Sequence, residues 1–217
     1  ELLALGLLCT CIAPVAAAQG MSSAVNYRQF HLLFLNTPQD CSLAIAATQA
    51  DIDGLSNCTS LPALTVGRRD CSVVCSVMNL SSLRYLKTIA GDLTIQCCVS
   101  LTSLSGLDAL IGVGGSLVLY FNQNLTTFGG LAMLTHVNGS VEISQNVQLT
   151  TVSAFASLQT IGGSLLIANN PALVSVGGLA ALQTIKGEEL EAAGHALSVL
   201  YNIALTDLSG FAGLANI

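Results

Sequence analysis

Seven apolar positions recur along this chain at a fixed step of 24 residues. Leu93, Ile95, Leu101, Leu104, Leu107, Leu110 and Val113 are followed one step later by Leu117, Leu119, Leu125, Phe128, Leu131, Leu134 and Val137. The next two steps run from Val141 and Ile143 to Ile161, and from Leu165 and Ile167 to Ile185. After Lys186 the register slips by eight residues and resumes as Leu197, Val199, Leu205, Leu208, Phe211, Leu214 and Ile217, which places one insertion at about Glu188 to His195. Backward from Leu93, the residues Cys71, Val77, Leu80, Leu83, Leu86 and Ile89 read as an earlier turn, and Leu55, Cys58, Leu61 and Leu64 as a frayed first one. The Leu-x-Ile pair of each turn has strand period, so its two side chains face one way, while the later Leu-x-x-Leu spacing suits tight corners.

One such turn cannot bury its own apolar row, but stacked turns can. The expected fold is therefore an all-β-rich repeat solenoid, a right-handed parallel β-helix with leucine-rich-repeat-like turns of 24 residues. At about 4.8 Å per turn, six clear turns reach roughly 25 to 30 Å. Asparagine recurs at the bend after the first strand, as Asn122, Asn146, Asn170 and Asn202, with Cys98 in the equivalent place one turn earlier. An inward Asn there satisfies backbone groups that leave the ladder. Gly91, Gly115, Gly139 and Gly163 open successive turns and read as a backbone requirement, since none belongs to the strand, Gly-rich loop and helix that cradle a phosphate.

Composition narrows the function classes. Six Lys and Arg against twelve Asp and Glu leave a formal charge of -6, so nothing offers a basic surface for nucleic acid. His31, His136 and His195 stand far apart in the repeat register, and the Ser and Thr residues lack a paired base. An enzyme is not expected, and neither is a cofactor.

The start of the chain is a short apolar run from Leu2 to Val15 that ends in Ala16-Ala17-Ala18 before Gln19. It is too short to span a bilayer with ease and carries a signal-peptidase ending, against the alternative of a buried N-terminal helix. Residues 1–18 are read as a secretory signal peptide, 19–66 as a Cys-containing cap with a degenerate first turn, and 67–217 as the solenoid, truncated at its C-terminal end. Past residue 18 the chain keeps Cys41, Cys58, Cys71, Cys75, Cys97 and Cys98. An even count in an oxidising compartment favours disulfides, with 15 pairings open. The Cys71-x3-Cys75 spacing has a metal reading, but neither a His nor a second tight pair lies nearby in sequence. Asn57, Asn79, Asn124 and Asn138 each begin an N-glycosylation triplet.

Leu182-Gln183-Thr184-Ile185-Lys186-Gly187-Glu188-Glu189-Leu190 is followed by His195-Ala196-Leu197-Ser198-Val199-Leu200-Tyr201-Asn202 and Leu205-Thr206-Asp207-Leu208. This break in the repeat resembles that of the receptor L domain, the leucine-rich-repeat-like β-helix of insulin and epidermal-growth-factor receptor ectodomains and of related microbial surface proteins. Asp70-Cys71-Ser72-Val73-Val74 is similar to the start of such a domain, and Leu86 to Leu93 to its first full turn. The resemblance covers about residues 70 to 217. The 24-residue step is more regular than in the hormone receptors and looks more like the microbial proteins.

The resemblance implies an extracellular ligand-binding or adhesion module of a cell-surface receptor-like protein, non-catalytic itself, with any kinase beyond Ile217. The alternative is a structural cell-surface or cell-wall glycoprotein held by a lipid anchor. Either is secreted or faces the outside of the cell, touching a membrane only through an anchor outside residues 1–217. The outward positions of the first strand carry Val118, Tyr120, Leu166 and Leu200, with Phe121 and Tyr201 beside them. A protein or glycan ligand is expected on this partly apolar face, unless the N-terminal segment or a neighbouring domain covers it. The excursion at Glu188 to His195 would flank it.

Overall fold

The computed structural model describes residues 41–42, 45–68, 71, 75–187 and 195–217. All of these belong to one compact unit, Gln39–Ile217. The expected signal peptide, residues 19–40, Asp70, the Ser72-Val73-Val74 run and Glu188 to Gly194 of the excursion lie outside the described residues, as does His31.

Two parallel ladders run the length of the stack. The longer has seven strands, in the order Ile45–Ala46, Leu64–Val66, Leu93–Gln96, Leu117–Tyr120, Val141–Ser144, Leu165–Ala168 and Leu197–Leu200. The shorter has six, Ser60–Leu61, Thr88–Ile89, Gly112–Val113, His136–Val137, Thr160–Ile161 and Thr184–Ile185. A third row is discontinuous, with bridges from Thr151 to Ser175 and from Ser175 to Asp207. The described residues thus form a β-solenoid of about six turns with little helix, as the repeat requires.

Register follows the arithmetic. Leu117 stands opposite Val141, Val141 opposite Leu165, and Leu165 opposite Leu197, so the slip of eight is absorbed within one turn while the ladder continues unbroken. The inward rows are fully buried from Leu93 to Leu182, and Phe128 meets Phe155 edge to face at 5.8 Å in the middle of the core. On the last turn the same rows are partly open, with Leu197, Val199 and Leu205 only half-buried.

The N-terminal register departs from the expectation. Leu64 and Val66 pair with Leu93 and Ile95, a step of 29, so Val66 and not Cys71 takes the place of Ile95. Leu61 stands opposite Ile89, a step of 28, which keeps Leu55, Cys58 and Leu61 in the first turn as read. The extra residues fall between Val66 and Val77, where disulfides rather than apolar periodicity hold the chain, and a fixed step cannot see them. A short helix, Gln49–Asp53, packs beside this turn under a Thr48 capping box. Its Gln49 Oε1 accepts from the backbone N of Met78 and of Asn79 at 3.0 and 3.2 Å, and Asp53 accepts from the Ser82 hydroxyl at 2.7 Å.

Of the 15 pairings, the structure takes Cys41–Cys58, Cys71–Cys97 and Cys75–Cys98. Cys71 and Cys75, the pair with a metal reading, are both consumed by the adjacent Cys97 and Cys98 of the next strand end.

Candidate binding face

The bend after each long strand is held by the inward Asn. Asn122 Nδ2 donates to the Ile95 carbonyl at 2.8 Å, and its backbone N donates to Asn146 Oδ1 at 3.0 Å. Asn146 and Asn170 repeat the pattern, donating to Leu119 and Ile143, and Asn202 donates to Ile167. At the start of the row the Cys98 backbone N donates to Asn122 Oδ1 at 3.2 Å, so Cys98 sits in the ladder while its sulfur is bonded to Cys75. Asn122, Asn146 and Asn170 are buried with every side-chain polar atom satisfied. Their role is structural.

A second ladder lies at the start of the turns. Ser116 N donates to Asp92 Oδ1, Ser140 N to Ser116 Oγ and Ser164 N to Ser140 Oγ, at 2.7, 3.1 and 3.0 Å. The glycine before each of these residues is required by close stacking. A Cβ on Gly139 would meet Ser116 Oγ at 2.5 Å and the Gly115 carbonyl carbon at 2.8 Å.

These ladders fix what the long sheet presents outward. Along one outward row the register gives Thr94, Val118, Glu142, Leu166 and Ser198, all half-buried. Along the next it gives Gln96, Tyr120, Ser144, Ala168 and Leu200. Strand alternation alone would expose that whole row, yet Gln96, Ser144 and Ala168 are buried while Leu200 is 47% exposed. Size accounts for the middle of the row: Ser144 and Ala168 are short side chains between the tall Tyr120 and Leu200. The result is a trough with walls three strand spacings apart, about 14 Å. The Ser144 hydroxyl donates to Glu142 on its floor.

Immediately after each of the last five strands of the longer ladder stands one side-chain-bearing residue in the left-handed region. Cys97, Phe121, Gln145, Asn169 and Tyr201 have φ of 58, 54, 58, 57 and 56°. Phe121 N donates to Ser144, Gln145 N to Ala168 and Asn169 N to Leu200, so the sheet ladder continues through this column. Its sizes repeat the trough, with Phe121 and Tyr201 flanking Gln145 and Asn169. Together with Val147 and Pro171 these four line a groove of about 460 Å³. Tyr201 is 75% exposed, and the Tyr120 and Phe121 ring centroids lie 6.0 Å apart. Val118, Tyr120, Leu166, Leu200 and Tyr201, singled out from sequence, thus fall on one face with its adjoining corner. Gln145 and Asn169 were not singled out, although they recur at the same step of 24 and could have been found by it.

The sequon residues Asn57, Asn79, Asn124 and Asn138 are all exposed. Asn124 Nδ2 donates to the Val99 carbonyl at 2.6 Å and its Oδ1 accepts from Gln148 at 3.0 Å. His136 Nδ1 lies 2.9 Å from the Thr135 hydroxyl, and the ring occupies the space left by Gly112 on the outer side of the short sheet. His195 precedes the last strand, one position before Ala196. Among the described residues no group of three or more His, Cys, Asp or Glu could hold a metal ion, and no helix is long and apolar enough to cross a membrane.

Residues 133–217 match the family model of the receptor L domain. The stacked parallel ladders are consistent with that family, and the matched part contains both the slip of eight and the far wall of the trough, Leu200 and Tyr201. No curated protein and no solved structure matches the chain.

Proposed function

We propose that the chain is an extracellular, non-catalytic binding module that holds a protein partner against the outward face of its long sheet. The observation that carries this reading is the row Tyr120, Ser144, Ala168, Leu200, in which two large apolar side chains stand over two small ones on the solvent side of a rigid ladder. Such a trough accepts one protruding side chain from a partner, and apolar or aromatic walls desolvated by it supply most of the affinity. The family matched by residues 133–217 consists of extracellular ligand-binding domains, and the three disulfides fit an oxidising compartment. N-glycans at Asn57, Asn79, Asn124 and Asn138 belong to the same reading, as does removal of residues 1–18 on secretion.

A photoreactive side chain installed at Leu166 and, separately, at Thr160 on the short sheet tests the face on producing cells. The expected result is a discrete protein adduct from position 166 and none from 160. Adducts from 160 alone, or from neither position while the protein is properly exported, contradict the reading and favour a structural role in the cell envelope.

A further inference from the structure

We propose that the groove along the left-handed column, beside the sheet face, is a binding site for a neutral carbohydrate. This goes beyond protein recognition on the sheet and rests on that reading only for its extracellular setting.

The groove joins two kinds of group. Phe121 and Tyr201 provide aromatic faces at its two ends, and Gln145 and Asn169 provide carboxamides between them, one turn apart at about 4.8 Å. Among the described residues neither carboxamide has a hydrogen-bond partner, whereas Gln148 and Asn124, on the next bend outward, are paired with each other. A carboxamide donates and accepts at once, as a sugar hydroxyl does, so two of them side by side suit the edge of a pyranose ring of similar width. The apolar face of that ring stacks on an aromatic plane.

The competing occupant, an extended peptide, fits less well. Peptides bind sheets by pairing with a free backbone edge. Here the backbone N–H groups of Phe121, Gln145 and Asn169 are already committed to Ser144, Ala168 and Leu200, and the groove crosses the strands. None of its six lining residues is charged, which leaves an ionic ligand without a counter-charge and selects a neutral one.

The test uses the whole exported chain, freed enzymatically of its own N-glycans, titrated with soluble β-glucan, chitin and mannan oligosaccharides. Binding is followed calorimetrically and by the side-chain amide signals of Gln145 and Asn169. At least one oligosaccharide class binds saturably and moves those signals. Replacing both residues by glycine (Gln145→Gly, Asn169→Gly), which keeps the left-handed backbone, weakens it by about tenfold or more. The same variant melts no lower than the parent chain and retains its protein adduct from position 166. No binding by any of the three classes overturns the proposal, as does binding that the double variant leaves intact. Displacement of the sugar by an uncharged extended peptide of equal affinity also overturns it, in favour of a peptide groove. Loss of sugar binding with the adduct retained confines the effect to the groove. Sugar binding with no adduct from position 166 removes the sheet-face reading and leaves the groove standing.

Discussion

Asn170 Oδ1 receives two hydrogen bonds from Asn146, one from its backbone N at 3.0 Å and one from Nδ2 at 3.4 Å. Because Asn146 also donates to the Leu119 carbonyl and accepts from Asn122, a single side chain ties three consecutive turns. Asn146→Ala removes the partner of a buried backbone N–H and of a buried carbonyl, at about 1 to 3 kcal/mol for each group left stranded. Asn146→Asp keeps the acceptor but sets a carboxylate against the Leu119 carbonyl, so it is expected to be no milder. Denaturant titration of both variants measures this, and an unchanged midpoint for either contradicts the ladder.

The place of Cys98 in that ladder gives a second prediction. Both Cys75→Ser with Cys98→Ala and Cys75→Ser with Cys98→Asn lose the same disulfide. Only the second restores an amide, which can donate to Asn122 Oδ1 and reach the carbonyl of Val66, the residue opposite Ile95. The Asn version is expected to be more stable by roughly 1 to 2 kcal/mol. Equal stabilities would mean that the first bend is held by the disulfide alone.

At Gln145, with φ 58°, the left-handed backbone disfavours any side chain. Gln145→Gly relieves about 1 to 2 kcal/mol of strain against about 0.5 to 1 kcal/mol of added chain entropy, for a net gain of about 0 to 1.5 kcal/mol. A rise in melting temperature checks it, and a fall would show that the Gln145 side chain packs as structure rather than waiting for a ligand.

Asp207, on the third row, accepts from the Ser175 hydroxyl, and Ser209 donates to it from backbone and side chain; these bonds hold its carboxyl below the usual carboxylate range. The folded value lies below the unfolded one, so this contribution to stability is present above the unfolded pKa and is lost as pH falls through the folded one, in the acid range below about 4. An NMR titration should place the Asp207 midpoint below that of an unperturbed Asp, and Ser175→Ala should raise it. A midpoint insensitive to Ser175→Ala would contradict the assignment.

What could be read in advance follows from which residues carry a periodic signal. Leu117 to Ile185 and the four ladder asparagines were legible because every turn meets the same inner geometry, and even the slip before Leu197 left the inner pattern intact. Leu64 and Cys71 were misplaced because the segment before Val77 is held by Cys71 and Cys75, whose spacing has no reason to match a turn. The disulfide partners were open for the same reason. Tyr120 and Leu200 were placed on the outward face by alternation. Burial of Ser144 and Ala168 between them was not, since it depends on the height of cross-strand neighbours. Gln145 and Asn169 were overlooked because surface amides carry no hydrophobic period, although their backbone conformation recurs as strictly as any core position.

The sheet face as the partner surface is tested most directly by hydroxyl-radical footprinting of the chain alone and bound to the partner recovered by cross-linking from position 166. Tyr201, at 75% exposure, lies at the edge of the trough, whereas Tyr85, at 49%, lies outside it under the Arg84 guanidinium and serves as the internal control. Oxidation of Leu200 and Tyr201 should fall on binding while that of Tyr85 stays constant. Protection of Tyr85 with Leu200 and Tyr201 unchanged would contradict the account.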